Sequence, residues 1–284
     1  GRASAHQRVI PMSDWLVAIT VALLGWWLST GVILYLNHLS RHARRWSMLA
    51  ATILLLFCFA QVPATSEDSS RGGAVVAFVQ ALLIWGWLEM SYLMGFITGP
   101  RTAPCPPHAK GRERFWLALQ TSLWHELSVV AATALVIALT WEAPNQVAAW
   151  SCVALWLMRW SAKLNLFLGV LNYNEEWLPA HLRYLTTYIR CRAMNMLFPV
   201  SVVVGTSAAT ALVLGGLNGT GDVVRTGHIL VGTLVALAVL EHWFLVLPLH
   251  DSALWQWALP TADRKKKREG NCEENGRRAT AAGL

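Results

Sequence analysis

Seven apolar segments, each about long enough to cross a lipid bilayer, occupy most of this 284-residue chain. A crossing helix needs about 20 mostly apolar residues, because roughly 30 Å of hydrocarbon is spanned at about 1.5 Å per residue. Backbone amides inside a bilayer must be satisfied within their own segment, and the alternating stretches typical of a barrel do not occur. The sequence therefore predicts an all-α polytopic membrane helix bundle of about seven transmembrane helices. The expected spans are Trp15–Leu36, Trp46–Val62, Ala74–Thr98, Phe115–Thr140, Val147–Val170, Leu197–Leu217 and His228–Leu249.

The amino-acid composition favours a membrane environment over a soluble domain. Hydrophobic residues make up 55% of the chain and charged residues only 14%, against about 25% charged residues in soluble domains. The net charge of +7 indicates contact with anionic membrane lipids rather than nucleic acid, because the basic residues cluster beside the spans. Several tryptophans are expected at the headgroup level, where an amphipathic ring is stable. They are Trp15, Trp46, Trp116, Trp141, Trp177, Trp255 and Trp257.

Basic residues concentrate in alternate connections between the predicted spans. The first, third and fifth connections and the C-terminal tail are rich in Arg and Lys, whereas the intervening loops have little positive excess. The positive-inside rule then places the N-terminus outside and the C-terminus in the cytoplasm. The basic residues are Arg41, Arg44, Arg45, Arg101, Lys110, Arg112, Arg114, Arg183, Arg190 and Arg192, with Arg264–Arg268 in the tail.

The same pattern divides the chain into three parts. Residues 1–11 are expected to be an upstream extension or added residues, because Met12 stands just before the first span. Residues 12–259 form the transmembrane domain, and residues 260–284 form a basic, disordered cytoplasmic tail. The cysteines show no C-x-x-C or zinc-type spacing, so we expect neither a disulfide nor a structural metal site.

Polar side chains within the predicted spans are the strongest candidates for a site. An ionised residue near a helix centre costs about 2.5–3.5 kcal/mol on insertion scales, so such residues normally find partners inside the bundle. Counting along each helix at about 1.5 Å per residue puts several of them at a similar depth. The candidate intramembrane polar or pigment site consists of Glu89, His125, Glu126, Arg159, Lys163, Asn165, Glu241 and His242.

Three interpretations of this group remain open. A structural ion-pair network that locks the bundle is favoured, and a polar site for a tetrapyrrole, a quinone or a proton is the second. A metal centre is disfavoured, because the neighbours in His125-Glu126 and in Glu241-His242 point about 100° apart on a helix. The nearby Arg and Lys would also repel a divalent cation. No catalytic residue is assigned.

The fifth connection has an unusual acidic, aromatic and proline-containing sequence. Asn174 is expected to cap a short helix whose apolar edge lies on the membrane surface. This segment is the candidate cytoplasmic partner surface, with an ordinary structured loop as the alternative. Its residues are Glu175, Glu176, Trp177, Pro179, His181 and Arg183.

The fifth span and the following connection resemble the signature of a known family. The run SAKLNLFLGV at 161–170 and the run NEEWLPAHLRYL at 174–185 carry the likeness best. Shorter matches are Met194-Asn195, Phe198-Pro199, Trp87-x-Glu89 and Trp124-His125-Glu126. The chain is thereby similar to the PuhE-type photosynthetic complex assembly proteins of phototrophic bacteria, also called photosynthetic complex assembly protein 2. The likeness extends from about Met12 to Trp257.

This resemblance implies a multi-pass protein of the bacterial inner membrane, in its photosynthetic, intracytoplasmic part. It implies a factor that assists assembly of the reaction centre and core antenna and the supply of bacteriochlorophyll. The implied partners are reaction-centre or core-antenna subunits and other assembly factors. It brings no catalytic residues and no assigned cofactor, with bacteriochlorophyll or a precursor as the candidate occupant.

Two other functions compete with an assembly factor. A membrane-embedded enzyme of bacteriochlorophyll metabolism would use Glu126, His125 or Glu241 as acid–base groups. A small-molecule or proton transporter would use the charged layer as its pathway. The absence of a paired-half repeat in the sequence weighs against the common transporter designs.

Overall fold

The computed structural model describes residues 12–173, 178–247, 254–255 and 257–258. These residues are helical or irregular, apart from an isolated bridge between Val170 and Cys191. The predicted N-terminal extension and the predicted tail lie outside the described residues. The helices are α1 (Met12–Asn37), α2 (Arg41–Ser66), α3 (Arg71–Leu93), α4 (Gly111–Gln120), α5 (Leu123–Leu139), α6 (Val147–Leu168), α7 (Leu197–Asn218) and α8 (Asp222–Phe244), with a 3₁₀ helix (Ala180–Tyr188) between α6 and α7.

The helix lengths and composition are those of a membrane protein. In the described residues, five helices are long and apolar enough to cross a bilayer, namely α1, α2, α3, α7 and α8, and α4 with α5 would supply a sixth. Helix α6 is long enough, but Arg159 and Lys163 lower its hydropathy. The predicted all-α fold is therefore confirmed and its long apolar helices fit a membrane bundle, whereas the count of seven spans and the orientation stay predictions.

Helices α3 and α8 form the centre of the bundle. The most apolar window of each is 61% buried, against 17% in α1 and α7. Both α1 and α6 pack against α3 and α8. The outer helices expose large apolar side chains such as Phe57 and Val203, as expected of surfaces that face lipid rather than water. Helix α7 approaches α8 closely at Gly205, where a Cβ would lie 2.6 Å from Cγ2 of Val239.

The predicted fourth span, Phe115–Thr140, is wrong in being continuous. It is broken into α4 and α5, which are bent by 66° at the break. At the break, residues 98–101 provide hydrogen-bond partners for backbone groups that would bond within the helix if it were continuous. The amide of Arg101 donates to the Gln120 carbonyl at 3.3 Å, and the amide of His125 donates to the Thr98 carbonyl at 2.9 Å. This exchange gives the Gln120 carbonyl and the His125 amide partners at the break and fixes the direction in which α5 begins.

Two helix ends also differ from the predicted boundaries. Helix α3 ends at Leu93 rather than Thr98, because Gly95 turns the chain with a φ of 80°. Helix α8 begins at Asp222, earlier than predicted, because an acidic residue in the first turn is favourable beside the positive end of the helix dipole. A prediction from hydropathy alone assigns Asp222 and Arg225 to a loop.

Two asparagines join the ends of α6, α7 and α8. The side-chain amide of Asn195 donates to the carbonyl of Asn165 at 3.2 Å, and its oxygen accepts from the amide of Leu197 at 2.9 Å. The side-chain amide of Asn172 donates to the carbonyl of Phe244 at 3.0 Å. These asparagines satisfy backbone groups that the helix ends leave open. The polar sequence that follows α6 therefore has a structural role.

We expect Gly99→Ala to lower the free energy of unfolding by about 1–3 kcal/mol, the usual cost of overpacking. A Cβ at Gly99 would overlap the carbonyl oxygen of Gln120. The matched control is Gly72→Ala, whose Cβ would find only Oγ of Ser70 at 3.5 Å. Unfolding followed by tryptophan fluorescence in detergent checks this, and equal stability of the two variants would contradict the described break.

Candidate functional site

A cavity of about 500 Å³ lies among α1, α3, α4, α5, α6 and α8. Its lining comes mainly from the C-terminal parts of α1, α3, α6 and α8, from α4 and from the start of α5. The cavity therefore lies in the half of the bundle that adjoins the Arg-rich connections. Small-molecule pockets generally measure about 300–1,000 Å³, so this one has room for a sizeable ligand. The 3₁₀ helix contributes Leu185 and Tyr188 to its lining.

Two ion pairs join α6 to its neighbours in this cavity. A guanidinium nitrogen of Arg159 lies 2.8 Å from a carboxylate oxygen of Glu89 on α3. The ammonium group of Lys163 pairs with the carboxylate of Glu126 on α5, and it lies 5.3 Å from the ring centre of Tyr92. The two cations are four residues apart and so share a helix face. Each cation is neutralised by a different helix.

His125 is buried beside this network. Its side chain is fully shielded, and Nε2 lies 4.0 Å from a carboxylate oxygen of Glu89. Its ring lies against Tyr92, with the ring centres 4.7 Å apart. Neither ring nitrogen has a hydrogen-bond partner within the described part of the chain. His125 is not among the residues that line the cavity. It lies behind the lining, where it packs against Tyr92 and near Glu89.

Glu241 lies at the opposite wall of the cavity, between α8 and α1. The indole nitrogen of Trp26 donates to its carboxylate at 2.7 Å. Trp26 also contacts Trp255, with ring centres 5.2 Å apart. Trp255 is almost fully buried, and its indole donates to the carbonyl of Trp27 at 2.9 Å. The headgroup position expected for Trp255 is therefore wrong, because α1 encloses it as part of the cavity wall.

Asn165 and His242 lie away from the cavity. The side-chain amide of Asn165 donates to Oγ of Ser201 at 3.0 Å, which ties α6 to α7. Nε2 of His242 lies 2.9 Å from Oγ of Ser161, and Nδ1 lies 2.7 Å from the carbonyl of Ala238. The structure thus divides the predicted group. Glu89, Glu126, Arg159, Lys163 and Glu241 face the cavity, and the other polar members hold helices together.

The described residues contain no group of three or more His, Cys, Asp or Glu side chains placed to hold a metal ion. The described cavity lining includes no histidine. It combines paired charges with apolar and aromatic side chains. Such a surface can bind a flat apolar molecule and direct a few hydrogen bonds at its polar atoms.

Tyr188, which lines the cavity, is held in place by two arginines whose structural role the sequence did not indicate. The side chain of Tyr188 accepts from Nε of Arg101 at 2.6 Å and donates to the Ala103 carbonyl at 3.0 Å. The guanidinium of Arg114 donates to the carbonyl of Tyr188 and lies 4.3 Å from the ring centre of Phe167. Sequence reasoning assigned both arginines to the charge bias of the loops. Their burial and partners depend on tertiary contacts.

The candidate partner surface is described only in part. Glu175, Glu176 and Trp177, with the expected cap Asn174, lie outside the described residues. Pro179 precedes the 3₁₀ helix, and the side chain of Arg183 is exposed on it. His181 packs against Gly95, where a Cβ would lie 2.8 Å from Nε2. Partial burial lowers the pKa of His181, and the nearby Arg44 lowers it further.

The bundle and its charged cavity define a multi-pass membrane protein. Residues 12–266 match the family described as "Protein of unknown function (DUF3623)", and the chain belongs to that family. A protein from Rhodobacter capsulatus called "Uncharacterized 30.4 kDa protein in puhA 5'region" is 40% identical over 257 residues, which cover 88% of this chain and 93% of the relative. No solved structure matches the chain. The place of this relative in the puhA 5' region supports a link to photosynthesis, as the PuhE-type resemblance implies. A specific role in assembly stays a prediction.

We expect Lys163→Leu to destabilise the protein by up to about 3 kcal/mol, because it leaves the buried carboxylate of Glu126 without its cation. Arg192→Leu is the control, since its side chain is exposed. Membrane abundance and thermal unfolding in detergent are the measurements. A second change, Glu126→Gln, should restore much of the stability lost in Lys163→Leu. Failure of that rescue would show that the pair is not the cause.

Proposed function

We propose that this protein is an integral membrane factor that assists assembly of the bacterial photosynthetic reaction centre and core antenna, together with the supply of bacteriochlorophyll. The observation that carries the proposal is the 40% identical relative in the puhA 5′ region, taken with the resemblance of residues 161–185 to the PuhE-type signature. The proposed location is the inner, photosynthetic membrane. The cavity supports a role in which the protein holds a hydrophobic molecule for transfer.

The proposal includes seven spans, with α6 as the fifth. Arg159 and Lys163 are neutralised by carboxylates from α3 and α5, and a paired charge is far cheaper in a bilayer than an isolated one. The broken pair α4 and α5 then counts as the fourth span. This count puts the N-terminus outside and the cavity in the cytoplasmic half.

The contacts at the cavity favour binding over catalysis. Glu126, one acid–base group of the enzyme hypothesis, is held by Lys163. His125, another, lies behind the lining rather than in it. A general base must reach its substrate within hydrogen-bond distance or through one water. The exposed face of the 3₁₀ helix, with Arg183, and the basic connections are the proposed contacts for reaction-centre or core-antenna subunits and other assembly factors.

Deletion of the gene should lower the reaction-centre and core-antenna content of the membrane while bacteriochlorophyll or its precursors accumulate outside these complexes. Near-infrared spectra of membranes and chromatography of extracted pigments measure the two quantities in one strain. Complementation should succeed with the wild type and with Arg71→Met, whose exposed side chain lies at the start of α3, away from the proposed partner contacts. It should fail with Arg159→Met, which strands Glu89.

Accumulation of one defined pigment intermediate with a matching loss of its reaction product would instead support the enzyme hypothesis. Unchanged reaction-centre content in the deletion strain would overturn the assembly role. Immunodetection of each variant keeps a failure of function distinct from a failure to accumulate.

The orientation predicts which cysteines react from which side. Cys105 and Cys191 lie in connections proposed to be cytoplasmic, whereas Cys58 and Cys152 are buried. A membrane-impermeant maleimide should therefore label inverted vesicles and spare right-side-out spheroplasts. The matched variant Ser69→Cys, in the exposed connection before α3, should add labelling of spheroplasts. The reverse pattern would invert the topology.

A further inference from the structure

We propose that the cavity binds an uncharged, flat, conjugated ring that carries carbonyl oxygens and a long apolar tail. The inference rests on the proposed function for its setting and names the chemical class of the molecule held at that site. Two kinds of membrane molecule share this chemistry: esterified tetrapyrroles and isoprenoid quinones.

The lining is mostly apolar and includes several flat aromatic faces. Indole rings from three different helices, α1, α3 and α6, reach the cavity, and the ring of Trp255 closes another wall. These tryptophans are Trp26, Trp85, Trp160 and Trp255. Aromatic side chains pair well with other π-systems by offset stacking or edge contacts. A flat conjugated ring therefore fits this cavity better than a branched or strongly hydrated ligand.

The charges in the cavity disfavour an ionised ligand. Arg159 and Lys163 already have carboxylate partners, and Glu241 adds a third carboxylate to the lining. A ligand carboxylate would have to compete with Glu89 and Glu126 for these two cations, and it would lose its own hydration, which carries a large desolvation cost. A ligand cation would meet Arg159 and Lys163, whose exposed surfaces face the cavity. An uncharged ligand avoids both penalties.

The cavity presents hydrogen-bond donors that oxygen atoms of a ligand can accept from. Arg159 has five N–H groups and Lys163 has three, and each has one carboxylate partner among the described residues. Their side chains remain 34% and 26% exposed. Carbonyl oxygens on the ring would accept from them without adding charge. The described lining has no histidine to ligate a magnesium ion, so binding should depend on the ring and its carbonyl groups more than on a central metal.

The test measures binding to the purified full-length protein in lipid nanodiscs. The probes are bacteriochlorophyll a, its magnesium-free form bacteriopheophytin a, its free acid bacteriochlorophyllide a, and ubiquinone-10. Quenching of tryptophan emission reports binding, because four tryptophans line the cavity. We expect the esterified pigments or the quinone to bind at least about tenfold more tightly than the free acid, because an unpaired buried charge is costly.

The blocking variant is Gly86→Leu. Gly86 lines the cavity, and a Cβ there would find only Cδ1 of Ile33 at 3.9 Å. The larger side chain should therefore fill the cavity without disturbing the helix, and we expect at least about a tenfold loss of affinity. Val203→Leu, on the exposed face of α7, is the control that keeps affinity. Thermal unfolding of both variants verifies that they fold.

Each outcome decides the inference. Tight binding of an esterified pigment, with or without magnesium, supports it and identifies the pigment as the occupant. Tight binding of ubiquinone alone also supports it, but removes the pigment from the site. Tighter binding of the free acid, no binding of any probe, or unchanged binding in Gly86→Leu overturns it. The proposed assembly role is judged separately by the deletion strain, so the two can fail independently.

Discussion

Two cations on α6 can lie within an apolar bundle because each meets a carboxylate from a different helix. Glu89 reaches Arg159 from α3, and Glu126 reaches Lys163 from the first turn of α5. Removing either carboxylate would leave a charge in a medium that solvates it poorly. This constraint fixes how α3, α5 and α6 are rotated about their axes. It also places the hydrogen-bonding groups of the cavity at one level of the bundle.

The break between α4 and α5 depends on the same constraint. Glu126 can face Lys163 because α5 starts anew after Gln120, with its first amides directed by residues 98–101. Gly99 makes that approach possible. The polar sequence after α6 also shapes the bundle, since the side chains of Asn172 and Asn195 hydrogen-bond backbone carbonyls at the ends of neighbouring helices. The residues that carry the family resemblance thus include some that line the cavity, such as Lys163 and Phe167, and some that shape it without lining it, such as Asn165 and Asn195.

The proposed holding role fits this division of labour. A catalytic site would need a reactive group free to exchange protons with a substrate, whereas Glu89 and Glu126 are paired with cations and Glu241 accepts a hydrogen bond from Trp26. A holding site needs shape, apolar surface and a few hydrogen bonds, and these are present. An assembly factor that keeps a hydrophobic molecule within the membrane until its protein partner accepts it would use such a site. The exposed basic connections beside the cavity would lie on the side from which that partner is approached.

The sequence by itself determined the helical membrane fold, because a long apolar segment has one stable backbone form in a bilayer. It also identified the ionisable residues, since their insertion cost makes them conspicuous. The tertiary structure decided that Glu89, Glu126, Arg159, Lys163 and Glu241 share a cavity while Asn165 and His242 join helices. It also decided the break before α5 and the burial of Trp255. Hydropathy measures depth along one helix, but rotation about its axis and contacts distant in sequence are set only by packing against the other helices.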